Sequence, residues 1–430
     1  WSTSNITLAQ ATRFSPAGPM QAICIGGDRK PSFKDRGAAL TINRKGAARV
    51  KAVFPEAFLG VLKSLGTYGL LALNQEAGNL PTRNFTQAFA ESQELAEAVD
   101  HVKAKEHLVG KSRPCKACYV ACKKRYSADS PHADKHSVAE YESIALLGPN
   151  LGLEESLADG FRACELCNAL GLDTMSMGNI AAWLMDCFEN GVLTEQELGF
   201  SIRFGDGDKV CQLIEDVAFR RGKLGNLLAD GVLKAQEVLG EECRPYLRAS
   251  RGIGLPAHMP RKKPGIGFGY LHGPNLADHM KLEHDWLAGD PDMLEAFGLQ
   301  ISSEPTALDE SKVEIARITQ IYYSAVDSLS LCMFVFGPGN LFSFGEITDM
   351  VNAATGLDLT FADLMEAGER SVQLQRKLYL ATGGRDEEFL GYLETEIPAG
   401  PSKGQRIKKA DFDKAREHYY SLWGWCSASP

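Results

Sequence analysis

No stretch of this 430-residue chain approaches the roughly 20 consecutive apolar residues that a membrane-spanning helix needs. The longest apolar runs, such as Ser143-Ile-Ala-Leu-Leu-Gly148 and Leu329-Ser-Leu-Cys-Met-Phe-Val-Phe336, stop far short, so no span is expected. Positive charge is not in excess: 46 Lys and Arg stand against 55 Asp and Glu, a net charge of −9, and no nucleic-acid partner is expected. No charged segment followed by an apolar stretch and a cleavage site opens the chain, so export is not indicated and the cytoplasm is the expected location. An initiating Met is also lacking; starting at Trp1, the chain reads as a fragment or a processed product. There is no H-E-x-x-H, which leaves a zinc peptidase unsupported, and no repeat of 20 to 50 residues, which excludes a solenoid. At 44% apolar and 23% charged, the composition is that of a globular protein long enough for two or three domains.

Cysteine, by contrast, is plentiful, with 11 in the chain. Three of them form Cys115-Lys-Ala-Cys118-Tyr-Val-Ala-Cys122, a C-x2-C-x3-C spacing. Thiols this close in a reducing compartment read as soft metal ligands before disulfide partners. An iron–sulfur cube needs a fourth thiol, and the candidate is Cys332 in Asp327-Ser-Leu-Ser-Leu-Cys332. Zinc and unligated redox thiols stay open as alternatives. Against zinc, structural sites usually pair two short C-x2-C units, and the second such spacing, Cys164-Glu-Leu-Cys167, falls in an amphipathic helical run where it reads as half-buried.

Along the chain, residues 1 to about 53 read as strands, with Asn5-Ile-Thr-Leu, Gln21-Ala-Ile-Cys-Ile, Ala39-Leu-Thr-Ile-Asn43 and Arg49-Val-Lys-Ala-Val-Phe54 as the β-branched runs. From Pro55 the apolar period becomes helical, and the amphipathic runs at 154–170, 175–190 and 208–221 are punctuated by Gly178, Gly191 and Gly222. A Gly/Pro-rich stretch, Arg251-Gly-Ile-Gly-Leu-Pro-Ala-His-Met-Pro-Arg-Lys-Lys-Pro-Gly265, has the composition of a binding loop. Three further groups of residues could carry chemistry. Glu140 and Glu142 head an apolar run, where burial would suit a carboxyl to proton transfer, although acidic residues also cap helices there. His279 and His284, with Asp278 and Asp285, bring imidazoles and carboxylates together within eight residues. Asn168-Ala-Leu-Gly171-Leu-Asp173 and Asp327-Ser-Leu-Ser330-Leu331-Cys332 share one shape, a helix end running into a tight turn.

Taken together and in this order, Gly78-Asn-Leu-Pro-Thr-Arg-Asn-Phe85, the three-cysteine segment, Glu140-Tyr-Glu-Ser-Ile-Ala-Leu-Leu-Gly-Pro-Asn150, Cys167-Asn-Ala-Leu-Gly-Leu-Asp-Thr174, Leu255-Pro-Ala257 with its glycine-rich loop, and Asp327 to Cys332 resemble the tungsten-containing aldehyde:ferredoxin oxidoreductase family, from about Pro16-Ala-Gly18 to Phe334. The resemblance implies a mainly α fold in which two helical domains, 54–245 and 246–430, enclose a metal–pterin site behind a short β-rich remnant, 1–53, of an N-terminal pterin-binding domain. It implies a [4Fe–4S] cluster on Cys115, Cys118, Cys122 and Cys332, and a tungsten or molybdenum bis-pterin, with Mg2+ bridging its phosphates, contacted by Arg36, Ala38, Asn168, Gly171, Asp173, Asp327, Leu331 and Cys332. Glu140 matches the family's catalytic glutamate, and His279 its active-site histidine with His284 in reserve. The implied reaction takes an aldehyde and water to a carboxylic acid in an anaerobe's enzyme and passes electrons to ferredoxin or an iron–sulfur subunit, in a homodimer or larger complex. Two other readings are the tungsten subunit of a benzoyl-CoA reductase acting on an aryl-CoA, and a non-catalytic iron–sulfur electron-transfer subunit. The sequence departs from the family at Asn168, where the motif has Asp, at Ser330, where it has Gly, and in the Ala-Asp-His279-Met setting.

Overall fold

The computed structural model describes residues 32–52, 57–93, 97, 100, 114, 115, 118–125, 140–153, 157–273 and 277–426. The expected strands at 5–8 and 21–27, the 16–18 end of the resemblance and Asn275 lie outside the described residues. The helices that matter below are α1 (Arg36–Ala52), α2 (Tyr141–Leu147), α3 (Ala158–Leu170), α4 (Thr174–Glu189), α5 (Gly207–Ala218), α6 (Pro264–His272), α7 (Glu310–Ser328), α8 (Phe344–Thr355) and α9 (Phe361–Ala381). Among the described residues the strands are a single hairpin of Ala249–Ser250 against Ile253–Gly254, so the fold is mainly α. The chain divides into two compact units, one of Trp1–Lys51, Gln320–Arg385 and Ala428–Pro430, the other of Ala52–Thr319 and Asp386–Ser427, with one boundary inside α7.

In the larger unit the core is built on α2 and α4. Tyr141, Ile144, Ala145, Leu146 and Leu147 are all buried, so beyond its first turn α2 is apolar all round and sits inside the protein, not on its surface. Against it lies α4, buried from Met177 to Cys187, with the fully enclosed Trp183 donating from Nε1 to the Cys243 carbonyl at 2.8 Å. Gly178 does not punctuate a helix end, as its composition implies. It lies within α4 at the crossing, where a Cβ would come within 2.7 Å of the Leu146 carbonyl oxygen and 2.8 Å of its Cβ. Backbone cannot give way as a flexible side chain can, so Gly178→Ala is expected to destabilise the protein by roughly 1–3 kcal/mol, as a lowered Tm; an unchanged Tm would mean that α2 is free to move.

On α3, Cys164 and Cys167 are buried completely, and burial raises the Cys167 thiol well above the usual range. They are core residues, which removes them from the metal-ligand candidates. α5 presents Val210, Cys211, Leu213, Ile214 and Val217 inward at helical spacing, and Asp206 caps it by accepting from the Lys209 N–H at 3.2 Å. The Gly78–Phe85 motif is a loop in which Arg83, Asn84 and Phe85 are all left-handed, with φ of 46°, 53° and 59°. Asn150 holds that conformation, since its carbonyl accepts from the Asn84 N–H at 3.0 Å and its side chain from the Phe85 N–H at 3.1 Å.

In the smaller unit the strand reading of Ala39–Asn43 and Arg49–Ala52 is overturned: these residues belong to α1. The reason is spacing. Ala39, Ile42, Gly46 and Val50 recur every three or four residues and are the buried face, and that periodicity outweighs the β-branched content. Gly46 makes room for the Phe342 ring. Arg49 grips Glu346 with both guanidinium arms, at 2.6 and 2.9 Å, and the Leu341 carbonyl at 2.6 Å. α8 and α9 each open with a capping box, Ser343/Glu346 and Thr360/Asp363.

Candidate functional site

The site grows from the N-terminal end of α2. Glu140 precedes the helix with extended backbone and makes no cap; its carboxylate meets the Lys123 ammonium in an ion pair and accepts from the Thr67 hydroxyl at 2.8 Å. Lys123 directly follows Cys122. Burial opposes its charge, but Glu140, with Cys122 and Cys115 behind it, outweighs burial and leaves its pKa raised. Glu140 therefore ties the cysteine segment to the head of α2.

Glu142, in the first turn of α2, faces elsewhere. Its Oε2 accepts the Ala257 N–H at 2.6 Å, and its Oε1 lies 3.2 Å from His258 Nε2 and 3.2 Å from His279 Nε2, neither of them aligned as a hydrogen bond. The three donor atoms fall within 4.8 Å of one another. His284 completes a cluster of imidazoles, with ring centroids 4.6 Å from His258 and 5.7 Å from His279, and its Nε2 contacts the His279 carbonyl oxygen at 2.8 Å. Burial drives the pKa of His258 well down, with Lys263 and His279 adding to it; burial does the same to His284, with His258 and Lys263 adding. Both rings are neutral at physiological pH.

Local sequence explains this convergence. Pro256 and Pro260 bracket Ala257-His258-Met259, and the His258 N–H turns back to the Pro256 carbonyl at 2.8 Å. From α4, Asn179 fixes the loop by donating to the Leu255 carbonyl at 2.9 Å, and the Tyr141 hydroxyl donates to the Ala257 carbonyl. Behind His284, Asp285 has φ of 70° and accepts the N–H groups of Gly265 at 2.9 Å and Ile266 at 3.1 Å at the start of α6. It also pairs with the buried Lys312 at 2.7 Å.

Next to this pair Glu283 is buried with Oε1 unpartnered, and burial first, then Asp285, pushes its carboxyl up to about 8, against the pull of the His284 and Leu287 N–H groups and Lys263. A carboxyl whose folded pKa is raised keeps a proton that the unfolded chain gives up. Its contribution to stability is therefore lost as pH climbs from the ordinary value of 4.5 toward about 8, at no more than ~1.4 kcal/mol per pH unit. Glu283→Gln is expected to remove that slope, so the Tm of the variant relative to the parent rises between pH 5.5 and 8; parallel curves would refute a protonated Glu283.

The remaining candidates are placed as follows. Cys115 is exposed and Cys118 and Cys122 half-buried in the larger unit, and the Cys118 N–H bonds the Cys115 carbonyl at 3.1 Å, which keeps the pair close. Cys332 is exposed in the smaller unit, at the N-cap of the short helix Met333–Phe336. The two matched motifs do share their backbone. Gly171 and Ser330 are left-handed, φ 73° and 56°, and Leu172 and Leu331 bond back to Cys167 and Val326 at 2.9 and 3.0 Å. Asn168 lies on the last turn of α3, and Asp173 caps α4 by accepting from Ser176 at 2.7 Å. Asp327 sits on the last turn of α7. Arg36 and Ala38 open α1, where Asp35 accepts from the Ala38 N–H at 2.9 Å.

Sequence reasoning named Glu140 as the catalytic carboxylate and did not single out His258 or the contact that Glu142 makes with it. The available signal was the Pro-Ala-His-Met-Pro stretch of the glycine-rich loop.

A helical chain with a C-x2-C-x3-C segment, paired helix-end turns and a carboxylate–imidazole cluster is of the class formed by the helical C-terminal domains of an oxidoreductase family. The chain belongs to the aldehyde ferredoxin oxidoreductase family, whose domains 2 and 3 match residues 47–429. A tungsten-containing aldehyde ferredoxin oxidoreductase of Thermococcus kodakarensis is 30% identical over 413 residues, covering 94% of this chain and 64% of that protein. The aliphatic sulfonate oxidoreductase WOR-like subunit of Pyrococcus furiosus is 28% identical over 323 residues, 72% of this chain and 47% of that protein. Among solved structures, the active-site complex BamBC of benzoyl coenzyme A reductase with 1,5-dienoyl-CoA superposes with a TM-score of 0.70 at 14% identity, over 94% of this chain and 64% of that one, a likeness of fold. The chain thus spans 64% of the length of its tungsten-containing relative.

Proposed function

We propose that this chain is the catalytic part of a tungsten or molybdenum bis-pterin oxidoreductase that converts an aldehyde and water to a carboxylic acid. Each turnover releases two protons and two electrons. The observation that carries the reading is the meeting of half-buried Glu142 and His279 with buried His258 on a chain of this family.

The residues present fit the groups the family implies. Cys115, Cys118 and Cys122, reduced thiols on a short segment backed by the Lys123 cation, suit a [4Fe–4S] cluster with Cys332 as the fourth ligand. The helix-end turns carrying Asn168, Gly171 and Asp173, and Asp327, Leu331 and Cys332, together with Arg36 and Ala38, would hold the two pterins, and Mg2+ would balance the charge of their phosphates. When bound, the metal and cluster supply the electron chemistry, accepting a pair and passing it on singly to ferredoxin or an iron–sulfur subunit.

Protons are left to the chain. Glu142 is the base that takes the proton from water, because it is the carboxylate in contact with the imidazoles, and the Ala257 N–H keeps one oxygen fixed so the other faces His258 and His279. His279 receives the proton or donates a hydrogen bond to the substrate oxygen, with His284 behind it. Glu140, the base expected from the family match, holds the cysteine segment through Lys123.

Supplying the anaerobically purified protein with aliphatic and aromatic aldehydes and a viologen acceptor tests the reading. Aldehyde-dependent viologen reduction is expected. Reduction of an aryl-CoA with no aldehyde oxidation would move the chain to the benzoyl-CoA reductase class, and neither activity in protein that contains iron but no pterin would make it an electron-transfer subunit.

A further inference from the structure

The amide groups behind His258 have their orientations dictated by backbone at both ends. The Asn74 side chain donates from Nδ2 to the Leu70 carbonyl at 2.8 Å, which leaves its Oδ1 as an acceptor, and that oxygen takes a hydrogen bond from Asn79 Nδ2 at 2.5 Å. At the other end Asn79 Oδ1 accepts the Met259 N–H at 3.0 Å, so Asn79 cannot be turned over either. The second hydrogen on Asn79 Nδ2 then faces His258 Nδ1 at 3.3 Å. A ring nitrogen that accepts carries no proton. In a neutral imidazole the proton must be on Nε2, the atom 3.2 Å from Glu142 Oε1.

We propose that His258 is a positioning residue whose tautomer is fixed by the Leu70–Asn74–Asn79–Met259 chain, so that it holds an Nε2–H toward Glu142 and leaves proton exchange to His279. This rests on the reading of Glu142 as the base. The groups around the ring are Glu142 and Tyr141 on α2, Asn79 on the Gly78–Phe85 loop, His279 and His284 on the following segment, and Lys263 at the cap of α6. His258 is enclosed among them and stays neutral. Among the described residues His279 has no such amide behind its contact with Glu142, so its tautomer is left free to change. Before substrate binds, the Nε2–H is in contact with Glu142 but not aligned with it, as catalytic hydrogen bonds often are. The same tautomer removes the lone pair that a metal ion would need on His258 Nε2, so the three-donor cluster offers a metal at most the Glu142 carboxylate and His279.

The test is a histidine ring 15N correlation spectrum of the full chain as purified, with His258 assigned by its loss in His258→Gln. A neutral Nε2–H tautomer, unchanged from pH 6 to 8, is expected. An Nδ1–H tautomer, an imidazolium or a metal-bound nitrogen at this residue would overturn the proposal, whatever reaction the protein catalyses. In kinetics His258→Leu removes the donor, and the acid limb of the kcat/KM profile is expected to move up by about 1–2 pH units. His258→Gln, whose amide can donate from the same place, restores most of that shift. Equal effects of Leu and Gln would mean that His258 merely fills space. If the spectrum is as expected and neither variant moves the profile, the tautomer stands and the assignment of Glu142 as the base fails.

Discussion

Glu142→Gln is expected to lower kcat by about 100- to 10,000-fold, the range for loss of a general base, while iron, tungsten and Tm stay near those of the parent. The fold is spared because the glutamine oxygen can still accept the Ala257 N–H and the side chain keeps its volume. What is lost is the charge between two imidazoles. Glu140→Gln supplies the contrast. Its partner is Lys123, beside Cys122, so it is expected to loosen the cysteine segment and lower iron retention, with turnover falling in proportion to iron. Turnover abolished by Glu140→Gln with iron intact, and little changed by Glu142→Gln, would exchange the two roles.

Cys122→Ser is expected to give protein with iron well below the about four per chain of an intact cube, without the broad visible absorption of the cluster. The position is closely built in, since the Cys122 carbonyl packs on Gly66, which is left-handed at φ 72°. Cys167→Ala is the control. Cys167 is wholly buried in the core of the same unit, so that change costs stability but leaves iron unaltered. Iron loss in the Cys167 variant instead would mean that the cluster draws on α3, and zinc in place of iron in the parent would remove the cluster assignment.

Much of this was legible in the chain. The helical class, α3 to α5, the turns at Gly171 and Ser330 and the family match all follow from periodicity and motif order, which are local properties. Failure came where a second property had to be weighed. In α1 the β-branched content of Leu40-Thr-Ile42 argued for a strand, while the three-to-four spacing of Ala39, Ile42, Gly46 and Val50, the pattern that buries a face, argued for a helix and prevailed. Gly178 read as a breaker because composition does not say what crosses a helix. Glu140 and Glu142, two residues apart at the head of α2, face different partners, and which one meets a histidine depends on a loop more than 100 residues away. His258 stayed hidden because its partners, Asn79 and Glu142, come from distant segments.

The central claim is that a bis-pterin metal and an iron–sulfur cluster are carried on these residues, and elemental analysis of anaerobically purified protein with pterin quantitation tests it most directly. About four iron, one tungsten or molybdenum and two pterins per chain are the predicted result. Iron without tungsten, molybdenum or pterin would contradict the catalytic reading, and zinc without iron would contradict the cluster as well.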